Sequence, residues 1–586
     1  MNQHFSHRLP FGAECLDNGQ VRFRLWAPAQ TEIKLVVGRS PARPMERAGD
    51  GWFEALVTCG AGTHYRYQLA DGTQVPDPAA RAQAGDVHDA SVVVDPCAYQ
   101  WRNASWQGRP WTEAVMYELH VGTLGGFRGV IRELPRLSAL GVTAIELMPV
   151  NDFPGQRNWG YDGVLPYAPD AAYGSPDDLK ALVDAAHDHG LMIFLDVVYN
   201  HFGPEGNYLG RYAPQFFCAD GSTPWGPAID FRRPEVRRFF TENTLYWLME
   251  YRFDGLRFDA VHAIPEPDWL DETAATIRAT VEPGRRVHLV LENGHNAAAH
   301  LRGGFDAQWN DDGHHAIHVL LSGQIDGYYV DYADQPAAQL ARALAEGFVF
   351  QGQFSHYFGR PRGESSRDLP PTAFVLFLQN HDQVGNRAFG ERLSALCQDQ
   401  AVEAAIALQI LCPQIPLIFM GEEAASPTPF LFFTDHPPNL AAAVREGRRQ
   451  EFARFPAFTD ATARARIPDP NAVETFEASV PLFGAPKAET RAALYRRLLE
   501  IRHTALIPRL EGTVSLGAEP IGPAAVVARW RMGDGSVLTL AVNLGETPEL
   551  VGELAGTELF ATSEVAHHHA QAGVLEPHST ILLLKN

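Results

Sequence analysis

Eight short apolar segments, spaced along the middle of the chain, constrain its fold more than any other feature. They are AVMYELHV from Ala114, TAIELMPV from Thr143, LMIFLDVVYN from Leu191, FDGLRFDAV from Phe253, VHLVLENG from Val287, FDAQWND from Phe305, TAFVLFLQNHD from Thr372 and IPLIFMGEE from Ile415. Each is nearly apolar on both faces, and amphipathic stretches separate them. Strands buried on both sides and alternating with helices belong to a parallel sheet. One intervening stretch, SPDDLKALVDAAHDHG, opens with a Ser175–Asp178 capping pair and stops at Gly190. Eight such units over about 390 residues predict an α/β fold, a (β/α)8 TIM barrel with long inserted loops.

The texture differs on either side. Residues 1–98 read as short strands rich in β-branched and aromatic residues, beginning near Val21, Thr31, Gly51 and Thr63, with turns such as DNG and DGT between them. That pattern predicts an N-terminal β-sandwich. The barrel is assigned residues 99–510, closed by the helix AETRAALYRRLLEIRHTA from Ala488. Residues 511–586 return to strands (AAVVARWRM, SVLTLAVNLG, STILLLKN) and predict a small antiparallel C-terminal domain. The stretch at about 200–230, rich in Gly, Pro and aromatics, is too long for an ordinary βα loop and is expected to form a lid or small subdomain.

Composition narrows the partners. The 586 residues carry a formal net charge of −22, which argues against nucleic acid and against an anionic membrane surface. The opening MNQHFSHRLPFG has no apolar core of the kind a secretory signal needs, and no run of about 18 apolar residues occurs. The six cysteines lack CxxC spacing. A cytoplasmic protein with reduced thiols is expected.

Polar residues collect where the apolar strands end: Asp196 and Asn200-His201 after the third, Arg257-Phe258-Asp259 at the fourth, Glu292-Asn293 at the fifth, and Asn380-His381-Asp382 at the seventh. Barrel enzymes carry their active sites at this face. One carboxylate at a strand end is usually a cap. Several strands aiming acids into one bowl is costly unless function requires it. Glycosidic bond cleavage does require it, with one carboxylic acid to protonate the leaving oxygen and one carboxylate to attack the oxocarbenium-like carbon. The acid needs a raised pKa. The nucleophile stays ionised beside a cation. Arg257 lies two residues before Asp259, on the same side of a strand, which makes Asp259 the expected nucleophile and Glu292 the expected acid/base.

The segments DVVYNH (196–201), GLRFDAVH (255–262), LEN (291–293) and QNHDQ (379–383) resemble, in order, the four motif regions of the α-amylase superfamily of glycoside hydrolases. The resemblance implies Asp259 as nucleophile, Glu292 as general acid/base and Asp382 as transition-state stabiliser. It places His201, Arg257 and His381 around the same sugar, Tyr161 under its ring, and Asp196 behind Arg257. Phe258, His262, Gln383 and Asn386 join them as expected substrate contacts. Longer stretches, including FDAQWNDDGHHAIHVLLSG (305–323), TPFLFFTDH (428–436) and EGRRQEFARF (446–455), are similar to the maltooligosyltrehalose trehalohydrolase family. That implies hydrolysis of the α-1,4 bond next to the terminal trehalose, with a maltooligosyltrehalose synthase as functional partner.

The polar cluster NDDGHH (310–315) admits a metal, but recognition of the trehalose end is the preferred reading, with Trp309, Asp311, Asp312, His314 and His315 as contacts. Further candidate stacking residues are Trp159, Phe202, Tyr208, Trp225, Tyr328 and Tyr329. No metal and no organic cofactor is expected, because acid/base chemistry at an acetal needs neither. The sequence departs from the family in having Ala424 after GEE, where an aromatic is expected, and GHNAA after LEN. A glycogen branching or debranching enzyme is the alternative activity. A non-catalytic glucan-binding protein is opposed by the presence of all three carboxylates and Arg257.

Overall fold

The computed structural model describes residues 4–223 and 226–586. Eight parallel strands close into a barrel: β1 (Met116–Leu119), β2 (Ala144–Leu147), β3 (Met192–Val197), β4 (Gly255–Phe258), β5 (His288–Leu291), β6 (Ala307–Trp309), β7 (Phe374–Phe377) and β8 (Ile415–Phe419), with β8 pairing back onto β1. All eight apolar segments supply one strand each. The helix Pro176–Asp188 begins as its sequence predicts. Ser175 Oγ accepts from Asp178 N–H (3.1 Å), and Asp178 accepts from Ser175 N–H (3.0 Å). Gly190, at φ +69°, ends it in the left-handed conformation that glycine tolerates.

Side chains pointing into the barrel form two layers. The lower layer is apolar and buried: Met116, Ala144, Phe194, Val290, Ala307, Val375 and Leu417. Gly255 makes room for it, since a Cβ there would lie 2.1 Å from the Phe194 ring. Two residues further along, on the same face of the same strands, stand Glu118, Glu146, Asp196, Arg257 and Glu292. The strand period thus carries each chain from a packed floor to a polar bowl within one step.

Two antiparallel sheets precede the barrel. One holds Gly12–Cys15, Gln20–Trp26, Trp52–Thr58 and Glu46–Arg47. The other holds Arg43–Pro44, Lys34–Val37, His64–Gln68 and Gln74–Val75. Their inner faces meet at Phe23 and Tyr65, with ring centroids 4.8 Å apart. The sandwich rests on the barrel through Phe11 against Phe239 (5.2 Å) and buried Arg81 against Glu250 (3.5 Å). After the barrel, a five-stranded antiparallel sheet runs Val514–Pro520, Ala525–Arg531, Val537–Asn543, Ser579–Lys585, Thr557–Ala561.

Between β3 and the helix Pro234–Met249 the chain forms a short helix, Leu209–Tyr212, and an antiparallel pair, Phe217–Thr223 with Gly226–Ile229. Phe216 anchors this insertion between Trp26 and Phe239, at 5.6 and 5.3 Å. Trp225 lies outside the described residues. Among the described residues no helix is long and apolar enough to cross a membrane.

Candidate active site

Arg257, fully buried on β4, organises the bowl. Its Nη1 donates to Asp196 Oδ2 and Asp259 Oδ1, both at 2.8 Å, and its Nη2 donates to Glu292 Oε2 at 2.8 Å. One planar fork thus holds carboxylates from three strand ends. Burial works against the guanidinium charge, but Asp196, Glu292, Tyr161 and Asp259 outweigh it and hold its pKa well above the ordinary value. The guanidinium also lies over the Trp309 ring, 4.2 Å from its centroid.

Asp259 is tied at both oxygens, with Asn200 Nδ2 donating to Oδ2 at 2.7 Å. The chain then turns at Ala260, whose φ of +39° is left-handed. The Ala260 N–H donates to Glu292 Oε2, 2.9 Å away. Behind Arg257, burial pushes Asp196 up to about 7 against the pull of the guanidinium. Tyr161 donates to Asp196 at 2.6 Å and stacks on His381, centroids 5.1 Å apart.

Asp382 follows His381 on the cleft wall. His381 Nε2 lies 3.5 Å from its Oδ1, and Asn386 donates to that oxygen at 3.2 Å. The cleft is a cavity of about 170 Å³ whose walls include Glu292, Trp309, Asp311, Tyr328, Arg362 and Asp382. Burial, and then the nearby Glu292, push Asp311 up to about 8.

The structure brings most of the expected residues to this cleft or its immediate backing. His262, Trp309, Asp311, His315, Gln383 and Asn386 line it. Tyr161, Arg257, His201 and His381 back it, with His201 Nε2 on the Tyr161 carbonyl at 2.9 Å. Three residues it does not bring there. Phe258 points outward, into the helical layer against Phe305 (5.4 Å) and Tyr199 (6.0 Å), as strand alternation between Arg257 and Asp259 requires. Asp312 is buried behind the wall, where it accepts from Arg362 Nη1 (2.9 Å), Asn296 Nδ2 (2.9 Å), Val349 N–H (2.7 Å), Phe350 N–H (2.9 Å) and Tyr332. His314 is packed flat on Phe377, with centroids 5.4 Å apart.

Of the other aromatics, Tyr328 lines the cleft. Tyr329 is stacked on His318 at 4.2 Å, Trp159 on Phe430 at 5.2 Å, and Phe202 packs on Phe240 at 5.9 Å. Tyr208 bonds His88 of the N-terminal sandwich at 2.8 Å. Sequence reasoning missed Asp331, Tyr357, Phe358 and Arg362, which also line the cleft. They arrive on a hairpin, Gln353–Ser355 with Arg360–Arg362, and its supports. The Asp331 carboxylate holds the tip through His356 N–H (2.6 Å) and Tyr357 N–H (3.1 Å).

The α-amylase catalytic-domain family model matches residues 102–216, and a domain of unknown function, DUF3459, matches residues 515–582. A malto-oligosyltrehalose trehalohydrolase from Deinococcus radiodurans is 42% identical over 510 residues, covering 84% of this chain and 83% of its own. Another of that name, from Rhizobium sp. strain M-11, is 38% identical over 96% of this chain and 98% of its own. The chain belongs to the malto-oligosyltrehalose trehalohydrolase family.

Solved structures share the fold. A crystal structure of a protein described as an alpha amylase, from Salmonella typhimurium, superposes with a TM-score of 0.93 at 45% identity, covering 99% of this chain and 100% of that one. A pullulanase from Anoxybacillus shares the fold at TM-score 0.71 and 18% identity. A branching enzyme, GlgB from Corynebacterium jeikeium, matches only 44% of the chain at 33% identity. This trehalohydrolase-family chain has Ala424 buried and apart from the cleft wall. Gly294, in the GHNAA departure, does line the cleft.

Proposed function

We propose that this chain hydrolyses the α-1,4 bond adjacent to the terminal trehalose of maltooligosyltrehalose, with retention of configuration. Asp259 attacks the anomeric carbon as Glu292 protonates the glycosidic oxygen, and trehalose leaves. Glu292, now a carboxylate, takes a proton from water, which cleaves the bond between Asp259 and the sugar and releases the shortened maltooligosaccharide. Asp382 stabilises the oxocarbenium-like transition state.

The observation that carries this reading is the shared Arg257 fork, with Asp259 on Nη1 and Glu292 on Nη2. Asp259 is held by Arg257 and Asn200, so attack costs little reorganisation. Glu292 uses Oε2 for Arg257 and Ala260, which leaves Oε1 for the glycosidic oxygen. Asp311 and His315, one helical turn apart on the cleft wall, are the proposed readers of the trehalose end. A synthase that converts the reducing end of a maltooligosaccharide into a trehalose unit would supply the substrate, in the same cytoplasmic compartment.

Product analysis tests the reading. Incubation with maltotriosyltrehalose yields trehalose and maltotriose, and plain maltooligosaccharides are cleaved far more slowly. Equal rates on both substrates, or new α-1,6 linkages in glucan, would show that the reading is wrong.

A further inference from the structure

A buried carboxylate below the cleft has no part in the chemistry above. Glu118, on β1, is completely buried in the barrel. It faces His381, which is 263 residues away in sequence. Glu118 Oε2 accepts from the His381 main-chain N–H at 3.0 Å, and Oε1 contacts His381 Nδ1. The other ring nitrogen, Nε2, lies 3.5 Å from Asp382 Oδ1. The imidazole is boxed between Tyr161, stacked at 5.1 Å, and Trp159, edge-on at 5.6 Å. Its plane is thus set by contacts with Tyr161, Trp159 and Glu118.

We propose that Glu118 is a positioning residue for catalysis: gripping His381 at both its main-chain N–H and ring Nδ1, it keeps the ring a cation whose Nε2–H points at Asp382 and the sugar beside it. This rests on the proposed glycosidase reading. The chemistry favours a carboxylate at this place. A neutral acceptor would satisfy one donor and leave the ring free to lose its proton, whereas two carboxylate oxygens match two donors and favour the imidazolium. Opposing charges are also close. Arg257 disfavours the cation, as does burial, and His120 lies nearby. Asp382 supports it, and Asp196 lies on β3, whereas Glu146 on β2 keeps its proton and brings no charge. Burial alone would lower the His381 pKa, but Glu118 and Asp382 carry it up to about 9. An imidazolium held this way keeps Asp382 oriented toward the ring hydroxyls without competing for its second oxygen.

Glu118→Gln is the test. The variant is expected to lose about 10- to 100-fold in kcat with a smaller change in KM, the scale typical when an outer hydrogen-bond partner of a site histidine is removed. Nitrogen NMR of the His381 ring is expected to show it losing its proton at a lower pH in Glu118→Gln than in the parent, where Glu118 and Asp382 hold it up to about 9. The double variant should be no slower than His381→Gln alone. An unmoved ring titration in Glu118→Gln, or additive losses in the double variant, would overturn the proposal. If Glu118→Gln does not fold, the parent decides, because a His381 ring that is neutral at pH 7 overturns it. Release of trehalose by the parent enzyme is untouched by either outcome, so the functional reading stands or falls separately.

Discussion

The two layers of the barrel interior differ by a single step of the same strands. Met116 and Glu118, Ala144 and Glu146, Phe194 and Asp196, and Val290 and Glu292 are pairs two residues apart on one face. The lower members pack into an apolar plug. The upper members are ionisable, and most are held by Arg257 or His381. The plug supplies cohesion by removing apolar surface from water. The layer above accumulates like charges that stability alone would not choose, and it is endured because the chemistry needs it. Stability and activity are therefore separable by a shift of two residues along a strand.

Substitutions in each layer can break that separation. In the upper layer, Asp259→Asn removes the nucleophile and is expected to cost roughly three or more orders of magnitude in kcat. Its melting temperature should stay close to that of the parent. A variant that keeps half its turnover would remove Asp259 from the mechanism. Glu292→Gln comes next, with a loss of about 10²- to 10⁴-fold on the natural linkage. A glycoside with an activated aryl leaving group should suffer much less in the first step, because that group departs without a proton. Equal losses on both would contradict the acid role.

In the lower layer, Phe194→Ala should do the reverse. Deleting a buried ring over the barrel floor is expected to cost about 3–5 kcal/mol of stability, readable by denaturant unfolding. Turnover per folded molecule should stay within a few-fold of the parent, and a large loss at full folding would show that the layers are coupled.

Glu146→Gln gives the smallest effect and sharpens the comparison through pH. Burial, and then Glu118, hold the Glu146 pKa well above 4.5. The folded state therefore retains a proton that the unfolded state releases above 4.5. The resulting contribution to stability is complete below that pH and is lost as pH rises toward the folded value. Glu146→Gln removes this dependence, so thermal scans from pH 5 to 9 should show the variant gaining on the parent as pH rises. A constant difference across that range would place the carboxyl in water rather than in the barrel.

Much of this was legible in sequence because burial leaves strong marks. A strand covered on both faces reads as an uninterrupted apolar string, so all eight barrel strands stood out. The ionisable groups at their ends stood out by contrast, and Arg257, Asp259 and Glu292 do share one fork. Three contacts went astray for reasons of period. Phe258 lies between two inward residues and must face outward. On the helix Asp311–Ser322, Asp311 and His315 are four apart and share the cleft face, whereas Asp312 and His314 turn away from it.

The hairpin with Tyr357, Phe358 and Arg362 was not read at all. Its sequence, QGQFSHYFGRPRG, has no clean period. Its place is set by bonds that span long stretches of chain, such as Arg362 to Asp312 and His356 to Asp331. Glu118 did carry a signal, as a lone acid within an apolar strand, but its partner His381 becomes visible only once the barrel closes.

The account is tested most directly by the anomeric form of the first product from maltotriosyltrehalose, followed by proton NMR within the first turnovers. Double displacement through Asp259 predicts that maltotriose appears first as the α-anomer, together with an equal amount of trehalose, and drifts to the equilibrium mixture only afterwards. Initial appearance of the β-anomer would mean that water attacks the sugar in one step, and Asp259 would then not be the nucleophile.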